Sequence, residues 1–222
     1  GAPGDESSPT TLQDGRIEVI SGLSGAVIAH LVPVANLSSY TRGSLLLSVI
    51  DRDGDAEIFV GSPRYDLTNG TVRAGKVTAY DFVPPVTGNQ GSLTPLFAIT
   101  GAEAHDNLGI SIAAPGDITG DGISEIAIGV SGARAIMQPA GRCEDAGKVL
   151  IMDPTSQSVV RVIYGRQPGN RFGYDLSGGK SDLDPTTATG IPKLIVSGSA
   201  SATHCVLYAD VISLERDLLG SN

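Results

Sequence analysis

The chain has 222 residues, 41% of them hydrophobic, and its 29 glycines and 13 prolines make up about a fifth of it. That much apolar chain buries a core and excludes a disordered segment, while so many turn formers exclude long helices. The 24 acidic side chains outnumber 15 basic ones and leave a net charge of −9, which repels a phosphate backbone, and no apolar run is long enough to span a bilayer as a helix.

Residues 1–14 are polar and rich in Gly, Ser, Pro and Thr, so they read as a flexible N-terminal segment ahead of an ordered region at 15–212. The first predicted strand follows a glycine and a basic residue, Gly15-Arg16-Ile17-Glu18-Val19, and a β-branched run at 26–32 succeeds it. Arg42-Gly43-Ser44-Leu45-Leu46 then leads through an acidic turn into the apolar run at 57–61. The glycine, base and alternating strand return as Gly75-Lys76-Val77-Thr78-Ala79-Tyr80, followed by a run at 93–99. A second full copy runs from Asn107-Leu108-Gly109-Ile110-Ser111 through a Gly- and Asp-rich turn to Glu125–Val130, then Gly147-Lys148-Val149-Leu150-Ile151 and 158–163. A third opens at Arg171-Phe172-Gly173-Tyr174-Asp175, reaches 193–197 and leaves one more apolar run at 205–212, before a C-terminal tail at 213–222. The order of features recurs at spacings of about 65 residues. Four short strands per unit, bounded by Gly, Pro, Asn and Asp, predict an all-β fold of antiparallel propeller-like blades.

The acidic turn of the second copy carries the chemistry. It reads Asp117-Ile118-Thr119-Gly120-Asp121-Gly122-Ile123-Ser124-Glu125. Calcium takes six to eight oxygen ligands, and a tight loop supplies them from alternate side chains. Positions one, three, five and nine are Asp117, Thr119, Asp121 and Glu125, all oxygen-bearing, while Ile123 at position seven offers its backbone carbonyl. Gly122 permits the sharp turn, and three carboxylates so close together repel one another unless a cation joins them. The first copy is a weaker candidate: it keeps Asp51, Asp53, Asp55 and Glu57 but has Val49 where Asp117 stands. In the third, Asp182 and Asp184 begin correctly, but an insertion follows and Lys193 occupies the place of the final acid, so a filled site is not expected there.

Cys143 and Cys205 allow at most one internal disulfide. Two N-x-[ST] sequons, at Asn36 and Asn69, fall where turns are expected and lean towards a secreted glycoprotein.

The motif order, with Leu108-Gly109 or Phe172-Gly173, then Gly116-Asp117-x-x-Gly120-Asp121-Gly122-x-x-Glu125, then an apolar run and Gly147-Lys148-Val149, resembles the FG-GAP repeats of integrin alpha-chain propellers. The resemblance covers residues 15–210 and is strongest over 101–153; Leu108-Gly109 and Arg42-Gly43 depart from its Phe-Gly element. It implies four-stranded blades, calcium stiffening one rim, an extracellular or cell-surface location, and a role in adhesion or protein binding without catalysis. The alternative is an accessory propeller, or a fragment, of a secreted hydrolase such as a phospholipase.

The residues themselves offer little to an enzyme. His30, His105 and His204 have no metal-ligand spacing, and no G-x-S-x-G elbow is present. His105-Asp106 reads as a surface pair in a connection between blades. The segment 70–76 mimics the start of a phosphate loop, but Val77 stands in place of the required Ser or Thr and a strand is expected to follow. About three units are legible, fewer than the four to eight that close a ring. A protein partner or other copies of the chain, as a dimer or head to tail, are therefore expected to complete the propeller, the alternative being that the chain is a fragment of a larger one.

Overall fold

The computed structural model describes residues 16–31, 44–50, 56–86, 90–137, 141–143, 145–181, 191–199 and 207–213. Among them every regular element is a β-strand, and each strand pairs antiparallel with its neighbours. β1 (Ile17–Ile20) and β2 (Val27–Leu31) form a two-stranded sheet. β3 (Leu45–Ser48), β4 (Glu57–Ser62), β5 (Lys76–Val83) and β6 (Ser92–Thr100) form a four-stranded meander in chain order. β7 (Leu108–Gly116) and β8 (Glu125–Val130) open a second copy, and β9 (Ala135–Met137) pairs with β10 (Gly141–Cys143) in a small hairpin of its own. β11 (Lys148–Asp153) and β12 (Ser158–Tyr164) complete that copy. β13 (Asp175–Ser181), β14 (Ile191–Ser199) and β15 (Leu207–Ser213) make a three-stranded sheet.

The predicted blades are present, with strands at every site where the Gly-basic-apolar element occurs. Apart from the β9–β10 hairpin, the described sheets hold two, four, four and three strands and do not close into a ring. A hairpin was not expected inside the insertion at 133–146, where β9 and β10 lie.

Burial explains why the strands differ in sequence. β4 and β8 are buried at every position, as strands covered on both faces must be, and they read as continuous apolar runs. The outer strand β6 alternates between exposed and half-buried residues through most of its length, because little chain covers it. Each core lies between successive sheets. Ile17 packs with Ile58, Val60 and Tyr80; Phe59, Val77 and Ala79 pack with Leu108, Ile126 and Ile128; Ala127, Val149 and Ile151 pack with Phe172, Leu194 and Val196.

Glycines set the distance between the two copies. A Cβ on Gly61 would overlap the carbonyl oxygen of Gly109, and one on Gly129 would overlap that of Gly173. The same carbonyls accept hydrogen bonds from Ser44 Oγ at 3.1 Å and Ser111 Oγ at 2.8 Å. Main-chain bonds run alongside: Leu108 N–H donates to the Ala74 carbonyl at 3.1 Å, and Phe172 N–H to the Ala146 carbonyl at 3.0 Å. The repeat in sequence is thus a repeat of joints as well as of strands.

The joint predicts a selective sensitivity to methyl groups. Gly129→Ala is expected to destabilise the chain by about 2–4 kcal/mol in urea unfolding, because a backbone carbonyl cannot move aside as a side chain does. Gly179 has open space at its Cβ position, so Gly179→Ala should change stability by less than about 0.5 kcal/mol.

Candidate metal centre

The acidic loop joins β7 to β8, and the pairing of Gly116 with Glu125 closes its base. Gly120 and Gly122 have φ of 84° and 91°, a backbone region that glycine enters without strain. Asp117 folds over this turn: Oδ1 accepts the Gly120 N–H at 2.5 Å and Oδ2 the Gly122 N–H at 2.9 Å. Asp121 Oδ1 accepts the Ile123 N–H at 2.8 Å. Glu125 is only 1% exposed, and its two oxygens accept the N–H groups of Ile118 at 2.5 Å and Thr119 at 3.0 Å. Ile123 is half-buried.

The three acids nominated as ligands therefore hold the loop's own N–H groups. Among the described residues, no three His, Cys, Asp or Glu side chains converge as a metal cluster. Thr119 is the exception to this satisfied pattern, since its Oγ1 is enclosed by protein and has no hydrogen-bond partner. A buried hydroxyl in that state costs about 1–3 kcal/mol. A carboxylate oxygen that accepts one N–H keeps a second lone pair, so the donors of this loop suit a hard cation by type.

The final acid has a structural duty that its position in the motif did not reveal. Glu57, also 1% exposed, repeats the arrangement in the first copy by accepting the Ile50 N–H at 2.7 Å through Oε2. Glu57 and Glu125 each stand at the head of an inner strand and fasten the preceding turn to it. The available signal was an acid placed at the start of a continuous apolar run, where burial obliges it to find donors.

Other nominated residues are distributed as follows. Asp51, Asp53, Asp55, Asp182, Asp184, Asn36 and Cys205 lie outside the described residues. Cys143 ends β10. Asn69 is exposed and forms an Asx turn, with Oδ1 accepting from Thr71 N–H at 3.0 Å and Thr71 Oγ1 at 2.8 Å. The segment 70–76 is a turn leading into β5, with Lys76 Nζ 5.0 Å from the centre of the Tyr65 ring. Of the expected surface pair His105-Asp106, only His105 is exposed. Asp106 is 3% exposed because its Oδ2 accepts the N–H groups of Ala102 at 3.1 Å and Glu103 at 3.0 Å.

Comparison with known proteins adds a lineage to this geometry. The chain is 31% identical to Integrin alpha-5 of Xenopus laevis over 181 residues, which is 77% of this chain and 16% of that protein. It is 29% identical to Integrin alpha-IIb of Mus musculus over 185 residues, 81% of this chain and 17% of that protein. With Integrin alpha-3 of Cricetulus griseus the identity is 29% over 203 residues, 87% of this chain and 17% of that protein. The chain thus spans about a sixth of the length of the curated relatives it matches. No protein-family model matches it.

The cap at the base of the loop is open to test. Glu125→Gln places an amide NH₂ against a backbone N–H, so urea unfolding should show a loss of about 1–3 kcal/mol. Glu103→Gln, at an exposed position, should cost less than about 0.5 kcal/mol.

Proposed function

We propose that this integrin-alpha-like chain, built of FG-GAP-type repeats, is a calcium-binding adhesion module that works outside the cell by binding a protein partner and performs no chemistry of its own. The kinship supports the adhesive, non-catalytic part of this reading, since the relatives are integrin alpha chains that align over about four fifths of it. The observation that carries the calcium part is the enclosed, unpartnered hydroxyl of Thr119 inside a loop whose other donors are all oxygens.

We assign the ligand set to Asp117, Thr119, Asp121, Glu125 and the carbonyl of Ile123. Calcium there offsets the repulsion among the three carboxylates and stiffens the turn between β7 and β8. The loop containing Asp51, Asp53, Asp55 and Glu57 is a second and weaker site by the same logic. Lys193 argues against a third at Asp182 and Asp184, because an ammonium repels a cation. The exposed Asx turn at Asn69 suits glycosylation, as does the sequon at Asn36, and pairing of Cys143 with Cys205 would fit the same oxidising compartment.

The partner is another protein or a further copy of this chain, and the kinship with integrin alpha chains supports the first.

Calorimetric titration with calcium tests this reading. The expected result is binding in the micromolar to millimolar range with a rise in melting temperature, both lost in Asp117→Ala/Asp121→Ala. No heat and no change in melting temperature at millimolar calcium would overturn it.

A further inference from the structure

At the other end of β7 and β8 from the acidic loop, the turns between sheets enclose a cavity of about 490 Å³. Four arginines line it, namely Arg64, Arg73, Arg134 and Arg171. Two of them face acids: Arg171 lies 3.7 Å from Asp145, and Arg134 lies 4.0 Å from Glu103. Arg64 and Arg73 have no side-chain ion pair among the described residues. The lining itself thus carries four guanidiniums and one carboxylate, Asp145, while the nearby Asp66 and Asp106 carboxylates are taken up by backbone N–H groups, Asp66 by that of Arg73 at 2.6 Å.

The backbone marks the same place. Of the six non-glycine residues with positive φ among the described residues, five line this cavity: Arg73, His105, Asn107, Asp145 and Arg171, with φ between 47° and 66°. Part of this belongs to the joint, where the Asn107 N–H donates to the Arg73 carbonyl at 3.1 Å and the Arg171 N–H to the Asp145 carbonyl at 2.9 Å. The joint needs a left-handed backbone, which glycine or asparagine adopts at least cost. Asn107 is such a choice, whereas Arg73 and Arg171 are not. Backbone geometry therefore does not account for their side chains, and strained positions of this kind gather at ligand sites.

We propose that this cavity binds a sulfated sugar, with Arg64 and Arg73 gripping its sulfate group. A guanidinium presents paired N–H donors that match an oxyanion, and holds its charge at any physiological pH. The volume lies within the range of small-ligand sites and is concave, which suits a sugar ring better than the flat face of a protein. Tyr174, 44% exposed, and the half-buried Ile110 give the lining an apolar surface against which a ring can rest. The site lies apart from the calcium loop and does not depend on it.

The test is NMR titration of the 222-residue chain with a sulfated heparin-type disaccharide, its desulfated counterpart, inorganic sulfate and a tetraglutamate peptide. The sulfated disaccharide should shift the amides of Arg64, Arg73, His105 and Arg171, and should weaken as salt is raised. Desulfation or the double variant Arg64→Gln/Arg73→Gln should reduce its affinity at least about tenfold, and inorganic sulfate alone should bind about tenfold more weakly than the sugar. An unchanged melting temperature verifies that the double variant folds; if it does not, Arg64→Gln alone, at a position without positive φ, is expected to lower the affinity severalfold. No shift at these amides, equal binding of the desulfated sugar, equal binding of inorganic sulfate or the glutamate peptide, or affinity unchanged in the folded variant would each overturn the proposal.

Discussion

Backbone meets backbone at the joints between the repeated sheets, and that contact exists only because glycine lacks a Cβ. Gly61 lies against the carbonyl of Gly109, and Gly129 against that of Gly173. Ser44 and Ser111 bond the same two carbonyls from the side. A larger residue at either place would push the sheets apart and open the cores that hold Phe59 against Ile126 and Val149 against Phe172. The burial of Leu108 and Phe172, both under 4% exposed, depends on this spacing. The abundance of glycine is thus a condition of stacking as much as a property of turns.

Two candidate sites lie at opposite ends of β7 and β8. Pairing of Gly116 with Glu125 marks one end of β7 and β8, and pairing of Leu108 with Val130 marks the other. The acidic loop occupies the first end and the arginine-lined cavity the second. Three carboxylates gather in the loop, whereas the cavity is lined by four guanidiniums, two of them facing the acids Asp145 and Glu103.

Much of this was legible in the sequence because it is local. The Gly-Lys-Val element announced β5 and β11, and the spacing of Asp117, Gly122 and Glu125 announced a tight turn between two strands. What escaped was burial, which is set by how the sheets pack and not by the local pattern. Glu57 and Glu125 stand at the terminal-ligand position of the motif, and burial at the head of an inner strand also makes each a cap for backbone N–H groups, which the motif did not reveal. Asp106 looked exposed beside His105, but it fastens the turn at 102–103. The hairpin of β9 and β10 sits in a stretch without the alternation that marks the other strands. The cavity could not be read at all, since its arginines come from three separate connections between strands.

The central claim is that a stack of glycine-jointed blades carries a cation in the loop between β7 and β8. The most direct test is diffraction from crystals grown in millimolar calcium, recorded where calcium scatters anomalously. The account predicts an anomalous peak within bonding distance, about 2.3–2.6 Å, of Thr119 Oγ1 and of the Asp117 and Asp121 carboxylates. A well-ordered loop with no peak, and with Asp117 still bonded to the N–H groups of Gly120 and Gly122, would contradict it.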